Sequence, residues 1–568
     1  MYVKITTSGP RRYVQLLESF RDENGRVKKR TVATLGRIDQ LGPELDSVIE
    51  GLQRIRGQQS AATAPGAISA SSLRFESARA LGHVWALTEL WKSLGFDRLR
   101  NVFRRTRHEI DVEALIRLMV LNRLCDPDSK LGVLRWIETV ALPDMTLRAL
   151  THQQLLRSMD ALMDHQAAVD EVVAESLLPM IGQDLSLAFY DMTTIRSEGL
   201  STMDEDVRQF GMSKEGLIAR QFMLGVVQTA DGLPIYHEVF DGNTAEAKTL
   251  LPTLKKVMQR FPSLRRLVLV ADRGLLSLDN LEALRQVVLP SGEPLEFILA
   301  VPGRRYSEFV QLLQPMQAQC EQAKEEISAE LPWQGLRLVV AHNPATALEQ
   351  RQKRQAKLDE LQAQADAWAG KLDEQDQGGR WRGRRLSDSG AKARFYHEVR
   401  EHHLGNIIKV DLKGELFSYA IDEKALSLAQ LIDGKLLLVT NVKDMAPQDV
   451  IDHYKSLADI ERGFKVLKSE LEIGPVYHRL PQRIRAHAAI CFMALILHRV
   501  MRQRLREANT GISPERALQT LKKIQHHRVS INSAKPLEGV SAMTEDDMAL
   551  LNALRIKPPT SASQLCRL

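Results

Sequence analysis

Cysteine is scarce in this chain. Among 568 residues there are only Cys125, Cys320, Cys491 and Cys566, and no two are close enough in sequence to form a zinc knuckle or a redox pair. A disulfide scaffold is excluded, and a reducing interior fits best. Long apolar runs are missing too. The longest, Ala488 to Leu497, has ten residues, half of the ~20 that span a bilayer. The opening MYVKITTSGPRRYV has no apolar signal core. Neither export nor membrane residence is expected, which places the chain in the cytoplasm. No fixed-period repeat occurs, which argues against a solenoid.

What is present is the composition of a soluble globular protein, 44% hydrophobic and 26% charged. The length exceeds what one core supports, so several domains are expected. The formal charge of +6 is a weak hint of an anionic partner, but its distribution says more. The first 40 residues carry nine basic and four acidic side chains, and His478 to Arg528 carries eleven Lys and Arg against Glu507 and Glu515. Between them lies RWRGRR, with Arg380, Arg382, Arg384 and Arg385 around Trp381. Three separate basic patches suit a long polyanion better than a small acid. Arg382 is a candidate phosphate contact and Trp381 a candidate base-stacking platform; a flexible basic loop is the plain alternative.

Pattern and punctuation divide the chain. Residues 1–56 read as a small β-rich unit with DENG as a turn, 57–72 as an uncharged linker, and 73–180 as a helical, DNA-binding domain. Helix caps there are Asp128 or Ser129, and Thr151. From 181 to 302 strand-like runs dominate: LSLAFYD, QFMLGVVQTADGLPIYHEVFDGN, LRRLVLVAD and FILAVP. Residues 303–434 break that rhythm with heptad-like helices and strand candidates, as an inserted domain would. Strand KLLLVTN opens a second core part at 435–510, and 511–568 reads as a C-terminal helical region. The fold class is therefore α/β: a mixed-sheet core interrupted by an inserted α+β domain, with a helical N-terminal domain.

Two aspartates stand at the ends of apolar strands, Asp191 in FYD and Asp272 in LVLVADRG. Strand-end carboxylates in α/β folds project into the crevice where ligands bind. If the two strands are neighbours, the carboxylates can share divalent cations, which hard oxygen ligands hold. A later stretch, YKSLADIERGFKVLK, adds a third carboxylate. At ~100° per residue Tyr454, Leu457, Glu461, Lys465 and Lys468 fall in one sector of roughly 80°. A solvated face with a Glu461 to Lys465 ion pair, worth ~0.3 to 0.5 kcal/mol, explains this helix taken alone. With the two aspartates beside it, a metal site facing DNA explains it as well.

The order of Asp, Asp, large insertion and Glu on a following helix resembles the DDE transposases of bacterial insertion sequences, whose catalytic core is ribonuclease-H-like. Tyr454, Glu461 and Lys468 match the family's Tyr, two residues, Arg, three, Glu, six, Lys signature, and Leu457 stands at the arginine position. GLPIYHEVFDGNT, ADRGLLS and RDENGRVKKRTVATLG are also similar to family segments. The resemblance implies that Asp191, Asp272 and Glu461 are the catalytic triad and hold two Mg²⁺ (or Mn²⁺) ions. It implies cutting of the element's ends and transfer of the 3′-hydroxyls to target DNA. Tyr454, Lys465 and Lys468 are then expected at DNA phosphates, with Asn243 and Arg273 near the site. The expected partner is double-stranded DNA, terminal inverted repeats and target alike, bound by a homodimer in association with the nucleoid. In this branch the resemblance also implies a β-rich insertion, whereas residues 303–434 read as more helical.

Three rivals remain on sequence grounds. DMTT (191–194) is similar to the aspartyl-phosphate loop of haloacid-dehalogenase-like phosphatases, but Thr193 replaces the general-acid aspartate. A transposase-derived DNA-binding protein without activity has no chemical need for three carboxylates. A ribonuclease-H-like nuclease that cuts without joining shares every residue named.

Overall fold

The computed structural model describes residues 2–8, 11–21, 27–37, 73–104, 110–145, 150–181, 184–199, 206–212, 218–273, 278–378, 385–531 and 536–559. The expected linker at 57–72, the DENG turn and the RWRG portion of the basic loop, Arg382 and Trp381 included, lie outside them. The chain divides into two compact units, Met1–Arg79 with Gln525–Ser541, and Ala80–Ile524 with Ala542–Leu568.

The first unit holds an antiparallel sheet of strands Tyr2–Ser8, Arg11–Arg21 and Val27–Arg37. Its second sheet is formed by Leu73–Ala80, Gln525–Ile531 and Leu537–Val540. An ion pair from Arg528 to Glu76, 3.0 Å, crosses that sheet. The region 511–568, expected to be helical, thus contributes two strands. In QHHRVSI the buried positions are His526 and Ser530, polar residues that a hydrophobicity reading does not count.

In the second unit, helices Gly82–Ser93, Val112–Cys125 and His152–Asp164 gather around the long helix Pro481–Glu507, and Gln166–Ile181 packs on His152–Asp164. Asp111, Ser129 and Thr151 cap helix starts by accepting backbone N–H bonds, each worth about 1 kcal/mol. Ser129, rather than Asp128, is the cap. The long helix meets the membrane-crossing criteria of length and composition, but 89% of its apolar window is buried in protein, which makes it a core helix. Because it joins helices from both ends of the chain, the expected 73–180 domain is no separate unit; it shares one body with the sheet.

Nine strands form that sheet: β1 Asp184–Arg196, β2 Gln209–Met212, β3 Ile218–Thr229, β4 Pro234–Asp241, β5 Arg266–Ala271, β6 Glu296–Ala300, β7 Ile327–Trp333, β8 Leu336–His342 and β9 Lys435–Thr440. The order is β7-β8-β9-β6-β5-β1-β3-β2, with β4 also paired to β3. β1, β3 and β4 form an antiparallel meander, while β5 and β6 run parallel to β1. One face packs Ala188, Tyr190, Leu269, Ala271, Phe297 and Leu299 into the main core. Strands β7 and β8, expected inside an inserted domain, extend this sheet by pairing with β9. Their alternation announces strands but not which neighbour they join.

Between β8 and β9 the chain forms a second, smaller apolar cluster. Helices Pro344–Asp376 and Asp388–Glu401 pack with hairpin Ile408–Lys413/Leu416–Ile421 around Leu358, Leu361, Phe395 and Phe417. Phe395 and Phe417 meet edge-on at 5.7 Å, a favoured aromatic geometry.

Candidate active site

Register decides whether the two aspartates meet. Along β1 and β5 the parallel partners are Ala188 with Leu269, Phe189 with Val270, and Tyr190 with Ala271. Asp191 and Asp272 are the next residues of the two segments. Alternate residues of a strand share a face, so Asp191 faces away from the side that buries Tyr190 and Met192. Asp191 does not end its strand, contrary to the sequence expectation. β1 continues through Arg196 because Thr193, Thr194 and Ile195 pair with β3, and β-branched residues favour strands. What ends at this level is the neighbour: β5 stops at Ala271, leaving Asp272 exposed.

The opening face of YKSLADIERGFKVLK is not one helix. Helix Pro447–Lys455 stops, Ser456 and Leu457 turn, helix Ala458–Lys465 follows, and Val466–Glu470 is a π turn closed by the Leu471 N–H bonding to the Val466 carbonyl at 2.9 Å. The uniform 100° arithmetic therefore fails across both junctions. One piece of the expected face nevertheless reaches Asp272. Pro447–Lys455 packs on β5, β6 and β8, and Ala458–Lys465 packs on β1. Tyr454 donates its hydroxyl to Asp272 Oδ1 at 2.7 Å. Burial first, then the Asp272 charge, raises the Tyr454 pKa, so the phenol stays protonated and donating. Arg273 also hydrogen-bonds Tyr454. Glu461 and Lys465 are exposed, Lys468 is half-buried in the π turn, and Asn243 is exposed in the turn after β4.

Two features escaped the sequence reading. Tyr454 holds a carboxylate, an arrangement no spacing announces. Gly463, two residues past Glu461, is buried, and a Cβ there would stand 2.6 Å from Gln228 Nε2 on β3. A glycine inside a helix, costing about 1 kcal/mol against alanine, was the available signal of that close approach.

The family model described as Transposase DDE domain matches residues 186–497, more than half of the chain. The chain belongs to the DDE transposases of insertion sequences. A second model, described as IS1634 family transposase, N-terminal domain, matches residues 3–64. No curated protein matches the chain. A transposase of this kind binds DNA and uses divalent metal, and the chemistry of Asp191 and Asp272 fits: both offer hard oxygen atoms and no sulfur. Among the described residues another group, Glu470, His498 and Glu515, also has metal-compatible spacing. His498 Nε2 stands 2.6 Å from Glu515 and 3.1 Å from Glu470. Burial alone would lower the His498 pKa, but the two carboxylates raise it, so this group reads as a charged histidine between two anions.

Proposed function

We propose that this transposase cuts the ends of its element and joins the freed 3′-hydroxyls to target DNA, with Asp191, Asp272 and Glu461 holding two Mg²⁺ or Mn²⁺ ions. The observation that supports the reading is the β1/β5 register, which pairs Tyr190 with Ala271, the residues just before Asp191 and Asp272. When bound, the divalent cations lower the pKa of the attacking water or hydroxyl and stabilise the leaving oxygen. In the first step a water oxygen bonds to phosphorus as the 3′-oxygen leaves. In the second, that 3′-hydroxyl bonds to a target phosphorus and releases a 3′-oxygen of the target strand. No covalent protein intermediate is required.

Asp191 and Asp272 supply rigid ligands from neighbouring strands, and Glu461 closes the site from the helix that packs on β1. Tyr454 orients Asp272, a role its hydrogen bond favours over the phosphate contact expected from its spacing. Lys465 and Lys468 bind phosphates of the cleaved strand, and the active species is a dimer joining two terminal inverted repeats.

The test is cleavage and joining of a labelled element end with Mg²⁺ by Asp191→Asn, Asp272→Asn and Glu461→Gln. Each should lose both reactions while still binding DNA in EDTA. Undiminished activity in any variant removes that residue from the role; cleavage without joining by the wild type reduces the protein to a nuclease.

A further inference from the structure

We propose that a basic cavity between the helical layer and the Gly474–Leu480 segment holds a backbone phosphate of the bound DNA, with Lys130 as its buried cation and Arg479 and Tyr477 at its mouth. The inference rests on the DNA binding that the family carries, not on the assignment of the acidic triad.

The cavity encloses about 580 Å³ and is lined by Arg123, Lys130, Arg479, Arg483, His478 and His487, among others. Lys130 is 5% exposed. Among the described residues its ammonium has neither a hydrogen-bond nor an ion-pair partner, and burial together with Arg123 brings its pKa down to about 7. A phosphate beside this amine and Arg123 would hold the amine in its charged form. The lining carboxylates do not take that place: Asp128 is held by Ser129 and Arg135, and Glu472 is exposed.

Two further observations point to a nucleic-acid phosphate. The long helix starts at Leu480 with no side-chain cap, and its first-turn N–H groups add partial positive charge at the cavity wall. Tyr477 is 71% exposed, an unsheltered aromatic ring beside exposed Arg479, as single-stranded and flanking nucleotides require.

Position relative to the active site follows from the chain. The Val476 carbonyl accepts bonds from the Glu198 N–H at 2.9 Å and the Ser197 hydroxyl at 3.1 Å, and the Val476 N–H donates to the Arg196 carbonyl. The cavity wall is thereby stitched to the strand of Asp191, six residues on. That is ~20 Å along an extended strand, or roughly six base pairs of duplex at 3.4 Å each. A phosphate held there would fix the DNA flanking the cut.

The experiment measures binding of the full chain to a labelled duplex carrying the element's end, in EDTA, across a salt series. Lys130→Met should bind about 10-fold more weakly, with the slope of log K against log salt smaller by about 1. Its melting temperature should not fall, because an unpaired buried charge is removed. Arg479→Gln, at an exposed site that does not threaten folding, should flatten the slope likewise; Lys130→Arg should restore most of the affinity. Binding is read in EDTA, where the triad does no chemistry, which keeps this test separate from that of the triad. Wild-type affinity and slope in Lys130→Met and Arg479→Gln would overturn the proposal, and if Lys130→Met fails to fold, Arg479→Gln decides it. Stabilisation of the wild type by inorganic phosphate, lost in Lys130→Met while DNA binding is unchanged, would mark a free-anion pocket and also overturn it.

Discussion

Replacing Tyr454 by phenylalanine removes one oxygen and leaves the ring. The lost interaction is the 2.7 Å bond from the hydroxyl to Asp272 Oδ1. Because Asp272 is exposed, water can replace the donor, and the stability cost should be only about 0.5–1 kcal/mol. Function should suffer more. Partners that orient a metal-binding carboxylate typically contribute 10- to 100-fold in metal affinity or activity. Tyr454→Phe should therefore raise the half-saturating Mg²⁺ concentration for end cleavage by about 10-fold, with DNA affinity in EDTA unchanged. The effect should be constant from pH 7 to pH 9, since burial and the Asp272 charge keep the phenol protonated throughout. Cleavage titrated with Mg²⁺, beside a DNA-binding isotherm in EDTA, gives both numbers. Weakened binding in EDTA with an unchanged Mg²⁺ requirement would refute the orienting role and assign Tyr454 to a phosphate.

Other perturbations probe the body that carries the site. His498, its pKa raised by Glu470 and Glu515 against the opposing effect of burial, contributes stability that is full below about pH 6.5 and lost as pH rises through its higher folded value. Melting temperature should fall over that window in the wild type and stay flat there in His498→Gln. Glu113 is 1% exposed and accepts from Trp91 Nε1 at 2.9 Å and Arg117 Nε at 3.0 Å. Glu113→Ala should cost about 3–5 kcal/mol by stranding the Arg117 charge, read from the urea midpoint of tryptophan fluorescence. Lys468→Ala should lower the salt slope of DNA binding by about 1, and an unchanged slope would count against a phosphate contact.

How much was legible in the sequence depended on whether the cause was local. Near-continuous apolar runs in LSLAFYD, QFMLGVVQT and LRRLVLVAD are enough to announce β1, β3 and β5, because strands in the middle of this sheet are buried on both faces. Two aspartates at the edges of those runs were visible for the same reason. That their strands are neighbours was not, since it depends on the pairing of Tyr190 with Ala271, a contact between segments distant in the chain. The place of β7 and β8 in the core sheet was hidden likewise. The helix break at Ser456 and Leu457 carries neither Gly nor Pro, and a π turn such as Val466–Glu470 has no local signature; the angular arithmetic consequently ran through both. Strand Gln525–Ile531 was missed because its buried positions are His526 and Ser530, polar residues that carry no hydrophobic signal.

The central claim is that Asp191, Asp272 and Glu461 form one metal site. Its most direct measurement is the anomalous diffraction of Mn²⁺ in crystals of the transposase bound to its element end. Density shared by the Asp191 and Asp272 carboxylates and bounded by Glu461 is the predicted result. Manganese held only between Glu470, His498 and Glu515, with the two aspartates empty, would contradict it.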